Sequence, residues 1–176
     1  MTRRLPFLFV FLAAVLPYIY AQPPMPSPAP ELKSLDYFVG TWKMDADMKP
    51  GPYGPGGKMT MTEHNEWMPG NFFVVSHSEA KSSTFSGTGL AVMGYDPDEK
   101  VYTYHEFNSM GEATASKGTH NGNTWSWTSD QKMGDKVIQT RFTIKELSPG
   151  AYNFKYEMSP DGSQWMTVMD GKAAKQ

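Results

Sequence analysis

Alternation of apolar and polar residues, broken at short intervals by turn-forming pairs, runs through most of this chain. In the stretch 138–145, for example, Ile138, Thr140, Phe142 and Ile144 alternate with polar or charged neighbours. A period of two residues is that of a β-strand with one buried and one hydrated face. Turn chemistry separates the alternating stretches, most clearly at 69–70, 96–99, 121–122, 149–150 and 161–162. This pattern favours antiparallel sheets built from hairpins.

The pattern predicts ten strands, at 41–48, 58–68, 71–79, 88–95, 101–108, 113–119, 124–129, 136–146, 151–159 and 164–171. A short helix is expected before them, at 30–39. Pro30 suits the first helical position, and Leu32, Leu35 and Phe38 recur every third residue. Because closure removes exposed sheet edges, the predicted fold class is all-β, a single antiparallel up-and-down barrel of about ten strands.

The N-terminal residues have the order of a secretory signal peptide. Arg3 and Arg4 precede an apolar stretch, and a small-residue cleavage site is expected after Ala21. An uncleaved anchor and a twin-arginine signal are the alternatives. Residues 1–21 are therefore interpreted as signal peptide, 22–30 as a Pro-rich linker and 31–176 as the barrel domain. This predicts a secreted or periplasmic protein with no membrane span after signal removal.

Composition removes several classes of function. The 176 residues include no cysteine, which excludes disulfides, thiolate nucleophiles and Cys-ligated zinc. The formal net charge is −2, and loss of Arg3 and Arg4 with the signal makes the chain more acidic. A chain of this kind, with scattered lysines, has no basic surface for nucleic acid. The sequence does not define the oligomeric state.

Gly40-Thr41-Trp42, after a short helix and before a series of hairpins, resembles the opening of lipocalin-like barrels of the calycin superfamily. The chain is more closely similar to a family of secreted bacterial proteins, a domain of unknown function with such a barrel. The matching stretches are 35–42, 93–97 with Tyr102, 108–111, 141–143 and 159–162. The resemblance implies that Gly40 and Trp42 are structural. It also implies that a basic residue of the last strand covers Trp42. No arginine follows Arg141, and Lys172 is the nearest substitute.

A barrel of this size can enclose a cavity, so binding of a small, largely apolar molecule is the leading functional hypothesis. Strand alternation supplies large side chains for the walls and a few polar groups for orientation. The expected cavity walls are Trp67, Trp125, Trp127, Phe142, Phe154 and Tyr156, with Glu63 and Thr140 as inward polar contacts. No cofactor is predicted.

A small barrel enzyme is the main alternative, using His105 or the face that carries His64 and His77. A two-residue turn at Pro69-Gly70 would pair His64 with Val75 and place both histidines diagonally on one face. The spacing of these residues does not support a metal site, and haem and copper are likewise not expected. His105 and Glu106 are neighbours on one strand, so only one of them is expected to point inward.

A third possibility is a packed barrel that serves as an envelope interaction module. The hairpin at Asn121-Gly122 bears on whether the barrel interior is filled or hollow. A type I′ turn there would place Trp125 and Trp127 opposite Gly118 and Ser116. Large rings facing minimal side chains either wall a cavity or cover the sheet backbone.

Overall fold

The computed structural model describes residues 26–52 and 54–176, which form a 3₁₀ helix followed by ten strands. The helix is Pro30–Tyr37, and the strands are β1 (Gly40–Met48), β2 (Gly57–Trp67), β3 (Val74–Ser82), β4 (Ser86–Asp96), β5 (Val101–Asn108), β6 (Ala113–Asn121), β7 (Thr124–Met133), β8 (Lys136–Ser148), β9 (Ala151–Ser159) and β10 (Met166–Lys175). The predicted signal peptide, 1–21, and the first part of the predicted linker, 22–25, lie outside the described residues. Within the described residues, no helix has the length and apolarity that a membrane crossing requires.

The ten strands close into one antiparallel barrel in which each strand pairs with its neighbours in the chain and β1 pairs with β10. The predicted fold class, an all-β up-and-down barrel of lipocalin-like type, is confirmed. Closure leaves no strand edge in the barrel unpaired, because the first and last strands complete each other's hydrogen bonds. The inner faces of the strands hold the core and the candidate site.

The connection between β2 and β3 differs from the predicted two-residue turn. Met68 N–H donates to Phe73 O over 2.8 Å, and Asn71 has a φ of 58°, so the loop occupies residues 68–73. His64 therefore pairs with His77 and not with Val75. The predicted register was wrong by two residues, but an even shift leaves every side chain on its predicted face.

The hairpin between β6 and β7 shows the same kind of shift. Asn121 pairs with Thr124, so the turn lies at Gly122 and Asn123, with Gly122 in the left-handed region at φ 62°. Trp127 thus faces Gly118, and Trp125 faces His120, which corrects the predicted pairing with Ser116 and Gly118. A Cβ atom on Gly118 would collide with the Trp127 ring, so this ring lies flat on the strand backbone.

The 3₁₀ helix closes one end of the barrel. Its Leu32 and Leu35 are buried against an aromatic cluster that includes Trp42 and Tyr152, whose ring centroids are 4.9 Å apart. Trp42 is fully buried, and its indole N–H donates to the carbonyl oxygen of Phe38 over 2.7 Å. Gly40, at φ 114°, takes a conformation that L side chains rarely adopt where the chain turns from helix to strand. Gly40 and Trp42 are therefore structural at this end.

Lys175, and not Lys172, covers Trp42. Lys175 pairs with Trp42 across β10 and β1, and its ammonium lies 5.1 Å from the centroid of the indole ring. The same ammonium donates to Tyr37 O over 3.3 Å, which fixes the helix as well. Lys172 pairs with Asp45 instead. The prediction failed because β10 continues to residue 175, beyond its expected end at 171.

Lys175→Met should lower the free energy of unfolding by about 0.5–1 kcal/mol, because it removes an exposed cation–π contact and a hydrogen bond to the helix. Lys172→Met is the matched control on the same strand and should change stability by less. Urea unfolding followed by tryptophan fluorescence measures both. Equal losses in the two variants would contradict the assignment of Lys175 as the residue that locks the closed end.

Candidate ligand-binding cavity

A cavity of about 270 Å³ lies inside the barrel, beyond the end that the helix closes. On β2, inward-facing side chains become more accessible with distance from the helix: Asn65 is 2% exposed, whereas Glu63 and Met61 are only partly buried. On β8, Ile138 at the far end is buried. The cavity therefore has a sealed base and is bordered at its far part by accessible residues of β2 and buried residues of β8.

One side of the cavity is largely apolar. Its apolar members are inward-facing residues of β7–β10 and β1, namely Trp127, Phe142, Ile144, Phe154, Tyr156, Met169 and Met44; Ser129, Gln131 and Thr140 add polar groups there. The rings of Phe142 and Phe154 lie 5.6 Å apart between centroids, and that of Tyr156 lies 6.4 Å from Phe142. Aromatic rings and thioethers of this kind bind apolar molecules by contact area and by adaptable packing.

The other side carries the two acidic residues and several small ones, together with the apolar Met61 and Met93. β3 and β4 contribute Ser76, Ser78 and Ala91, and this floor is flanked by Glu63 on β2 and Glu106 on β5. Small side chains leave space above the sheet, so both acidic side chains can extend over it. The two faces together make the cavity amphipathic.

Glu63 lies partly buried in the wall of the cavity, shielded from bulk water, and its ionisation is correspondingly perturbed. The pKa of Glu63 is raised to about 7, mainly by desolvation; hydrogen bonding to Asn65 lowers it in part, and the nearby Glu106 adds a smaller increase. None of the ion pairs of the described residues involves Glu63. The carboxyl group therefore changes charge near neutral pH without a protein cation beside it.

Glu106 extends the acidic character of this side. Burial raises its pKa, and the hydroxyl of Tyr104 donates to Glu106 Oε2 over 3.3 Å, which acts in the opposite direction. Burial also raises the pKa of Tyr104 well above its usual range, so this phenol stays protonated and can donate. No lysine, arginine or histidine of the described residues lines the cavity.

Asn65 links the cavity to the closed end. Its Nδ2 group donates to Phe38 O over 3.0 Å, which orients the amide. The other amide atom, Oδ1, is buried and accepts no hydrogen bond from the described residues. A buried acceptor without a donor is costly and uncommon.

Most of the sequence-predicted site residues come together around the cavity. The residues in its wall are Trp127, Phe142, Phe154, Tyr156, Glu63 and Thr140. The Thr140 hydroxyl already forms a hydrogen bond within the protein, with the Ser129 hydroxyl at 2.7 Å. That these six residues bind a ligand stays a prediction.

Trp67 and Trp125 lie elsewhere, at the helix-capped end. The Trp67 indole donates to Asp36 Oδ1 of the helix over 2.8 Å. The Trp125 indole donates to Glu146 Oε1 over 2.6 Å, and its ring stacks on His120 at 3.9 Å between centroids. Both side chains are thus used to hold the closed end together and do not line the cavity.

The histidines proposed for the enzymatic alternative lie on the outer surface. His105 is exposed, and its neighbour Glu106 is the residue that points inward. His64 and His77 face each other directly on the outside, where His64 Nδ1 is 3.1 Å from the Thr41 hydroxyl. In the described part of the chain, no three His, Asp or Glu side chains are grouped to hold a metal ion.

Two important cavity residues, Glu106 and Asn65, were not among the predicted site residues. A signal for Glu106 was present, because it alternates with Tyr102 and Tyr104 on one strand face. Tyr102 is buried and its hydroxyl donates to the helix carbonyl of Glu31 over 3.0 Å, so that face is the inner one. No comparable signal identified Asn65, whose role depends on the position of the helix end.

Glu63→Gln should stabilise the protein above neutral pH and leave it unchanged in acid. A pKa raised in the folded state favours folding below the unfolded-state value, near 4.5, and this contribution is lost as pH rises through about 7. An uncharged isostere avoids that loss, so the free energy of unfolding should increase by about 2 kcal/mol at pH 8 and not at pH 4. Denaturant unfolding at the two pH values measures the difference.

Glu66→Gln provides the control for this experiment. Glu66 lies on the same strand but faces outward and is exposed, so its neutral isostere should leave the pH dependence of stability as in the wild type. If Glu63→Gln gave no more stabilisation at pH 8 than at pH 4, the Glu63 carboxyl would not be desolvated in the folded protein.

The chain resembles known proteins in fold and, through one family, in sequence. No curated protein matches the chain in sequence. The solved structures similar to it include Rv2717c from M. tuberculosis, at a TM-score of 0.58 and 9% identity, covering 85% of this chain and 99% of that one. Another is the S-type phycobiliprotein lyase CPES from Guillardia theta, with the same score and identity, covering 82% and 91%. At this identity the similarity shows a shared barrel fold. Residues 27–175 match a family model, and the chain belongs to that family, described as protein of unknown function (DUF1579).

Proposed function

We propose that this protein binds a small molecule with an apolar body inside the barrel, and that it does so as a secreted or periplasmic protein. The observation that carries the proposal is the cavity of about 270 Å³, which has a sealed base, an aromatic wall and a polar side. Concave, mostly apolar sites with a few converging polar groups are the usual form of small-molecule sites. The signal peptide expected at 1–21 supports the location.

The volume limits the size of the ligand. A cavity of about 150 Å³ is known to accept benzene, so this cavity suits a molecule of roughly ten non-hydrogen atoms. The lower end of ordinary ligand pockets is about 300 Å³, which indicates a compact molecule and not an extended lipid.

The two alternatives fit the geometry less well. A packed interaction module would have a filled interior, whereas this barrel has a cavity beyond its closed end. An enzyme that used His105 or the pair of His64 and His77 would need these side chains in a cleft with a carboxylate in reach. They lie on the outer face of the sheet in open depressions, and no hydrogen bond among the described residues joins any of them to a carboxylate.

A larger side chain inside the cavity should weaken binding of a small apolar molecule. Ala91 is buried in the cavity floor, and Ala91→Leu should lower the affinity for a simple probe, 1-octanol, by at least roughly tenfold because the added carbons occupy ligand space. Isothermal titration calorimetry of the mature protein measures this affinity. Native mass spectrometry of protein purified from its own host shows in parallel whether a small molecule is retained.

Ala115→Leu serves as the matched control, since Ala115 is exposed on the outer face of β6. It should bind 1-octanol as the wild type does. Equal affinities in the Ala91 and Ala115 variants would place the probe outside the cavity. Absence of both probe binding and a retained molecule would overturn the proposed function.

A further inference from the structure

From the acidic side of the cavity we infer the class of ligand: a compact organic cation, in which a protonated amine lies between Glu63 and Glu106 and an apolar body packs against the aromatic wall. This inference rests on the proposed function, because it assigns chemistry to the same cavity. It concerns residues that the sequence analysis did not combine into a site.

The two carboxyl groups approach each other over a floor of small residues. Across the sheet, Glu63 pairs with Ser78, and Ser78 pairs with Gly89. A Cβ atom built on Gly89 would lie 3.7 Å from Glu106 Oε1, so the Glu106 side chain reaches across β4 toward the row that contains Glu63. A larger residue at position 89 would meet Ser78 and obstruct this approach. The floor is thus shaped to let both acids face one volume.

Charge in the cavity has one sign only. The described residues that line it include two glutamates and no basic side chain. Arg141, the only arginine beyond the predicted signal peptide, pairs with Glu157 at 2.8 Å. Buried charges in proteins are ordinarily paired. An ionised carboxylate ligand would face repulsion here, whereas an ammonium would supply the missing positive charge.

Asn65 lies beside this acidic pair, two residues from Glu63 on the same strand face, and lines the same cavity. Its Oδ1 atom is enclosed by the protein, so the acceptors that face the cavity here are the carboxyl groups. An ammonium carries three donor hydrogens and no acceptor. One cation can therefore be shared between the carboxyl groups of Glu63 and Glu106.

The raised pKa of Glu63 is consistent with a cation binding at this position. Besides burial, the groups that influence the pKa of Glu63 are Asn65 on its own strand and Glu106 on β5, and Glu63 in turn raises the pKa of Tyr104 on β5 and Tyr152 on β9. None of them is a cation, and burial raises the pKa of Glu63 to about 7. A bound ammonium would favour the ionised form and offset the desolvation that Glu63 otherwise experiences.

Three probes of equal chain length test the assignment at pH 8: octylamine, 1-octanol and sodium octanoate. Isothermal titration calorimetry of the mature wild-type protein should show octylamine binding at least roughly tenfold more tightly than 1-octanol, with octanoate the weakest. Glu63→Gln and Glu106→Gln should each reduce the preference for the amine to about threefold or less while 1-octanol still binds. Glu66→Gln should retain the wild-type preference.

The outcomes separate this inference from the proposed function. Binding of 1-octanol without preference for octylamine, or tighter binding of octanoate, overturns the cation assignment and leaves cavity binding intact. An amine preference that persists in both acid variants also overturns it. Failure of all three probes to bind overturns the inference, and if protein from its own host also retains no small molecule, the proposed function falls with it. Near-ultraviolet circular dichroism of the variants verifies that they are folded.

Discussion

The carbonyl oxygen of Phe38 accepts two hydrogen bonds on which the rest of the structure depends. The indole of Trp42 donates to it from β1, and the amide of Asn65 donates from β2. Phe38 follows the 3₁₀ helix directly, so these bonds join helix and barrel at one buried point. They also satisfy a helix-end carbonyl that would otherwise lack a partner in an apolar environment. Closure of one end thus depends on hydrogen-bond geometry as well as on apolar packing.

That closure determines where the cavity lies. Large aromatic side chains, among them Trp42, Trp125 and Tyr152, fill the interior next to the helix. On β3 and β4, Ser76, Ser78 and Ala91 are too small to fill the space opposite Phe142 and Phe154. The division of large and small residues therefore produces a packed half and a hollow half within one barrel. Asn65 lies at their boundary and takes part in both.

The strand pattern predicted the barrel and the inward face of most strands, because residue alternation is a local property. Register was harder to predict, since Pro69-Gly70 and Asn121-Gly122 mark a turn without defining which residues occupy its corner. Lys175 was missed because Ala173 and Ala174 give the end of β10 no clear alternation. The acidic side was missed for a different reason. Glu106 and Glu63 meet only after β3 and β4 are placed between them, and no local pattern contains that information.

Glu63 and Glu106 lower the stability of the barrel when its cavity is empty. Each is a desolvated carboxyl group, and burial raises the pKa of both. Core positions filled for stability alone would carry apolar residues, as Ile144 and Phe154 do on the facing wall. Two such acids destabilise the unoccupied cavity, and one cationic donor between them would remove both penalties at once. Because the penalties lie in one cavity wall, they are more simply explained by recognition than by folding.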